Sequence, residues 1–110
     1  MATEEHTAQE ILEKLTVAGN VRMRKMFGEY GVYLDDVFFA SICDNQLFIK
    51  PTEAGHALLG KDFPMAPPYP GAKDQFVIDL LKMNDNDLAE LCIRTKEALP
   101  APKKRRRPER

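Results

Sequence analysis

Serine occurs once in these 110 residues, at Ser41, and histidine twice, at His6 and His56. That scarcity narrows hydrolytic chemistry at the outset. Ser41 falls inside an apolar run, whereas a serine nucleophile is presented on an exposed strand-to-helix elbow. Cys43 and Cys92 are far apart, form no C-x-x-C pattern and sit among apolar neighbours. Thiols in such surroundings act as small buried hydrophobes. A cysteine nucleophile needs a lowered pKa and a base within reach, which apolar neighbours do not supply. The pair is read as two reduced, buried thiols. Glu53 and His56 have the spacing to share one helical face, but two ligands do not close a metal site. The sequence thus names no catalytic residue and implies no metal or other cofactor.

Long apolar runs are missing too. Nothing approaches the roughly 20 residues that cross a bilayer. The opening MATEEHTAQE is acidic and polar, unlike a secretory or mitochondrial signal. A cytoplasmic protein with no membrane association is the expectation.

What is present describes one ordinary folded domain. Apolar residues make up 44% and charged residues 30%, enough for a two-layer core without disulfides. The net charge of −1 conceals an asymmetry. KKRRRPER, the last eight residues, holds six of the sixteen basic side chains and one of the seventeen acidic ones. We read residues 1–100 as the domain and 101–110 as a basic tail, either solvated or an interaction arm.

Periodicity supplies the elements. A helix is predicted near Thr7–Ala18, where Thr7 and Glu10 have capping-box spacing and Ile11, Leu12, Leu15 and Ala18 share a face. Period two then takes over in VRMRKM, GVYL, VFFASIC and QLFIK, four strands of an antiparallel meander. Asp35-Asp36 and Asp44-Asn45 separate three of them as tight turns. Pro51 ends the fourth strand, and Thr52 caps a short helix over TEAGHALLG. KDFPMAPPYPGAK is a proline-rich loop, and QFVIDLL a further strand. That last strand either covers an edge of the meander, pairs within the sheet or meets a second copy, so the chain is expected as a monomer or homodimer. Asn84 caps a final helix with Met83 stapled on Leu88 and a stripe of Leu88, Leu91, Cys92, Thr95 and Leu99. The fold class is α+β: a two-layer sandwich whose antiparallel sheet of about five strands is flanked by N- and C-terminal helices.

One stretch demands its own reading: RKMFGEYG, Arg24–Gly31. A dinucleotide loop has three glycines between a strand and a helix, and a P-loop adds Gly-Lys-Ser or Gly-Lys-Thr. Gly28 and Gly31 satisfy neither and fall between two predicted strands. The stretch is read mainly as a bend, with Met26 and Phe27 entering the core.

Three surfaces offer themselves for binding. Lys103, Lys104, Arg105, Arg106, Arg107 and Arg110 suit phosphates of DNA or RNA, with Arg22, Arg24 and Lys25 as a second basic edge. Phe38 and Phe39 are adjacent on a strand and therefore face opposite sides, which exposes one of them unless something covers it. Phe38, Met65 and Tyr69 are candidates for a protein-partner surface.

RKMFGEYGVYLDDVFFASICDNQLFIKP resembles the signature of the TfoX/Sxy N-terminal domain. The matching features are Met26-Phe27-Gly28, Gly31, the hairpin of Tyr33 to Val37, and Leu47-Phe48-Ile49-Lys50. The resemblance extends over about residues 9–99 and implies an α+β domain of the kind found in bacterial regulators of DNA-uptake competence. Full-length regulators of that family carry a second, C-terminal domain, whereas this sequence passes from Pro102 into its basic tail. The expectation is a non-enzymatic module acting through protein contacts in transcription-related regulation. The alternatives are nucleic-acid binding through the tail, and a small-molecule or enzymatic role in a pocket roofed by the proline-rich loop.

Overall fold

In the computed structural model, residues 3–26 and 29–99 are described. Helix α1 spans Glu5–Leu15 and tightens into a 3-10 turn over Thr16–Ala18. Its buried stripe is Ala8, Ile11 and Leu15. The start differs from expectation. Thr7 lies within the first turn, and Glu4, at the N-cap, receives no side-chain capping bond. Tertiary bonds fix this end instead: the Thr3 hydroxyl donates to Glu29, and the Glu4 N–H donates to Asn45 Oδ1 at 3.0 Å. A fold-level contact has replaced the local box.

The strands are β1 Val21–Met26, β2 Glu29–Leu34, β3 Val37–Cys43, β4 Gln46–Ile49, β5 Met65–Ala66 and β6 Gln75–Ile78. They form one antiparallel sheet in the order β1-β2-β3-β4-β6-β5. The count is six, not about five, because the proline-rich loop contributes Met65–Ala66 as an edge strand. An edge tolerates its prolines, since one side of such a strand needs no donors. Strand β6 pairs inside the sheet, between β4 and β5.

Both predicted tight turns are sharp. Asp35, Asp36, Asp44 and Asn45 all have positive φ, between 51° and 69°. Two successive left-handed residues give the hairpin geometry that matches strand twist, and Asp and Asn tolerate it better than other side chains with a Cβ.

Helix α2 spans Glu53–Leu59, with Thr52 Oγ1 accepting from the Gly55 N–H at 3.0 Å. Helix α3 spans Asp85–Ala98, with Asn84 Oδ1 accepting from the Asp87 N–H at 2.8 Å. Each capping bond satisfies a donor that has no intrahelical partner.

All three helices gather on one side. Alternate sheet residues Tyr30, Val32, Leu34, Ala40, Ile42, Leu47, Ile49, Phe76 and Ile78 join Ile11 and Leu15 of α1 and Leu88, Leu91 and Cys92 of α3 in one buried cluster. Pairing shifts between Val32 and Tyr33: Val32 opposes Ala40 but Tyr33 opposes Phe38. Phe39 is the extra residue of that bulge and is fully buried in the cluster. Phe38 is left on the opposite face, as strand alternation requires.

Gly55 shows how closely α2 approaches the sheet. A Cβ there would stand 2.8 Å from Cε2 of Phe76, a ring held edge-on by Phe63 and His56. Gly55→Ala is therefore expected to destabilise the protein by about 1–3 kcal/mol, the usual cost of overpacking. A lower urea midpoint with an unchanged m-value would register it; an unaltered midpoint would show that Phe76 moves aside freely.

Candidate functional site

With the helices on one face, the other is lined by what alternation leaves there. Two cross-strand rows organise it. In the first, Arg22 opposes Tyr33 and Tyr33 opposes Phe38. The Arg22 guanidinium lies 5.2 Å from the Tyr33 ring centroid, the Tyr33 and Phe38 rings stack at 5.2 Å, and Lys50 Nζ stands 4.1 Å above the Phe38 ring. Two cations thus bracket two aromatics. Such contacts contribute about 0.5–1 kcal/mol each at exposed sites. The ladder pairs Ile49 with Phe76, so continuing it by one residue sets Lys50 beside Gln75.

In the second row, Arg24 opposes Gly31, Gly31 opposes Ser41 and Ser41 opposes Phe48. Two small residues at its centre leave a hollow. Here the sequence reading is corrected: Gly31 lies within β2, where the chain does not bend. The requirement there is space. A Cβ on Gly31 would stand 2.6 Å from Met26 Cε and 3.0 Å from Phe38 Cε1. Without that carbon, Met26 and Phe38 close in from either side.

The hollow is a cleft of about 750 Å³, within the range of small-molecule sites. Phe38, Lys50, Gln75 and Tyr69 line it together with Met26, Glu29, Tyr30, Cys43 and Ser41. Tyr69 comes from the proline-rich loop and is 60% exposed. Glu29 is already engaged, accepting from the Thr3 hydroxyl and from the Asp44 N–H at 3.2 Å. Lys50 has no carboxylate partner among the described residues. Burial lowers its pKa, because the ammonium has lost part of its hydration. Gln75 Oε1 is enclosed and accepts no hydrogen bond among the described residues. An unmet buried acceptor costs about 1–3 kcal/mol.

The candidate residues sort as follows. Met26 and Lys50 line the cleft, Gly31 makes room for the Met26 and Phe38 side chains, and Leu47 belongs to the core. Phe27 and Gly28 lie outside the described residues, as do Lys103, Lys104, Arg105, Arg106, Arg107 and Arg110. Of the basic edge, Arg22 is committed to Asp36, with bonds of 3.1 and 2.7 Å. Arg24 and Lys25 are exposed on edge strand β1. Phe38 and Tyr69 of the expected partner surface meet at the cleft, whereas Met65 packs against the core. Glu29, Ser41, Cys43 and Gln75 had not been assigned to a site, since only the strand register brings them together.

Residues 10–84 match the family model for the TfoX N-terminal domain. The chain belongs to this family. A protein of Spirochaeta aurantia, described as an uncharacterized 12.7 kDa protein in the trpE 5′ region, is 37% identical over 106 residues, or 96% of this chain and 91% of that protein. In this TfoX N-terminal domain no described helix is long and apolar enough to cross a membrane.

Both histidines lie away from the cleft: His6 beside Glu4, and His56 on α2 against Phe76. Ser41 and Cys43 therefore have no imidazole on their face of the sheet. Burial first, and then the charges of Glu29 and Asp44, push the Cys43 thiol up to about 11; burial pushes Cys92 up to about 12. Both move away from thiolate character.

The sign of the linked effect follows. A thiol whose folded pKa exceeds the ordinary 9.0 stabilises the fold fully below pH 9, and that contribution is lost as pH rises toward about 11 for Cys43 and about 12 for Cys92. Urea midpoints should fall between pH 9 and 11, and fall less steeply in a Cys43→Ala, Cys92→Ala double variant. At pH 8 both native thiols should react with Ellman's reagent far more slowly than in urea; equal rates would contradict this burial.

Proposed function

We propose that this TfoX N-terminal domain is a non-enzymatic binding module of transcription-related regulation, with the helix-free face of its sheet as the working surface. The cleft carries the reading. It joins apolar walls to a few polar groups, the composition of a recognition site, and pairs neither its hydroxyl nor its thiol with a base, as nucleophilic catalysis requires. The regulatory half of the reading rests on the resemblance to competence regulators. Protein contacts would form around the rim, where Tyr69 projects from the loop.

A phosphate-reading role for the described basic edge has less support. Arg22 is held by Asp36 and Tyr33, leaving Arg24 and Lys25, and non-specific nucleic-acid affinity grows with the number of phosphates neutralised.

Transcript profiling tests the proposal. In a host lacking this chain, the wild-type protein should restore the transcript profile, and a Phe38→Ser, Tyr69→Ala double variant should not. Circular dichroism confirms that the variant is folded. Full restoration by that variant, or turnover of a metabolite by the purified protein, would refute the reading.

A further inference from the structure

We propose that the cleft lined by Ser41 and Lys50 binds a small planar carboxylate with a neutral N–H or O–H donor beside the carboxylate group, such as an ortho-substituted benzoate. The proposal rests on the sheet face being a binding surface and adds the chemistry of what it holds.

Three observations define that chemistry. The first is charge. Among the described residues, Lys50 is the only cation lining the cleft, and its ammonium sits over the Phe38 ring with no carboxylate partner. Burial has stripped this ammonium of part of its hydration, and an incoming anion would answer the charge directly. Glu29, the acidic lining residue, is engaged by Thr3 and Asp44, which favours a single negative charge placed at the Lys50 side.

The second is the acceptor. The continued ladder sets Gln75 beside Lys50, and Gln75 Oε1 lacks a hydrogen-bond donor among the described residues. The proposal has this oxygen turn toward the cleft that Gln75 lines when the ligand enters. The ligand's donor is therefore adjacent to its carboxylate, with Ser41 available to donate to the same carboxylate. A neutral donor is required, because an ammonium in that position would face Lys50. That disfavours a zwitterionic amino acid.

The third is shape. Ser41 is a small residue in the lining, and Met26, Phe38 and Tyr69 supply bulky walls. A flat apolar body fits a hollow with thioether and aromatic walls.

The experiment is a 1H–15N NMR titration of the full chain with 2-hydroxybenzoate, benzoate and 2-hydroxybenzamide. The hydroxybenzoate should shift the Gly31, Ser41, Lys50 and Gln75 amides saturably. Benzoate should bind several-fold more weakly and the uncharged amide at least ten-fold more weakly. Lys50→Met should weaken hydroxybenzoate binding at least ten-fold while Lys50→Arg retains most of it, and Gln75→Leu should erase the preference over benzoate. Equal binding of acid and amide, shifts confined to another surface, or undiminished binding by a folded Lys50→Met would overturn the proposal. If Lys50→Met fails to fold, the acid–amide comparison on the wild-type chain still decides. Should no benzoate bind while the sheet-face double variant still fails to restore transcripts, the ligand class falls and the regulatory surface stands.

Discussion

A six-stranded sheet has two faces, and in the described structure the helices serve only one. The face toward α1, α2 and α3 is closed by aliphatic and aromatic side chains in a single cluster. The other face is closed by shorter means: stacked rings, long cationic side chains lying across them, and a loop carrying Tyr69. Cations with long methylene stems suit such a face, because they cover apolar surface while their charged ends reach outward. The cover breaks beside Ser41. A gap in a thin layer becomes a cleft, whereas a gap in the helix-covered core would be an internal cavity.

The bulge in β3 decides which aromatic serves which layer. Phe39 fills the core, and Phe38 remains beside Tyr33 and under Lys50. A one-residue slip would reverse those assignments along the strand. The flanking turns oppose such a slip. Each hairpin has two residues in the left-handed region, so changing the loop length would force a different turn geometry. Register, bulge and cleft are one constraint seen at three scales.

Much of this architecture was legible from local chemistry. Asn84 and Thr52 declare helix starts because a short polar side chain reaches its own backbone, and no distant partner is needed. Asp35-Asp36 and Asp44-Asn45 declare turns for a related reason. What was not legible depends on distant partners. Thr7 and Glu10 have capping-box spacing, but Asn45 and Glu29 hold the preceding residues from across the fold. Met65–Ala66 is too short to show a period and becomes a strand only because β6 is beside it. Gly31 looks the same in sequence whether a chain turns there or two side chains meet over it. The cleft was the least legible feature, since Glu29, Ser41, Lys50 and Gln75 are separated in sequence and gathered by pairing alone.

That gathering gives the family motif a second meaning. Its described residues divide by strand alternation: Leu47 and Ile49 enter the core, while Phe48 and Lys50 take the opposite face. Met26 and Lys50 then reach one hollow from a strand and a strand end, and Gly31 makes room for the Met26 side chain. Core packing explains Leu47 without further argument. It explains Lys50 poorly, because an ammonium partly stripped of water gains from a hydrophobic neighbour only if its charge is answered, and Phe38 answers it in part. A lysine chosen only for cover would be better placed with its charge in bulk solvent. Its position beside Gln75 and over the Phe38 ring is the feature on which the proposed recognition draws.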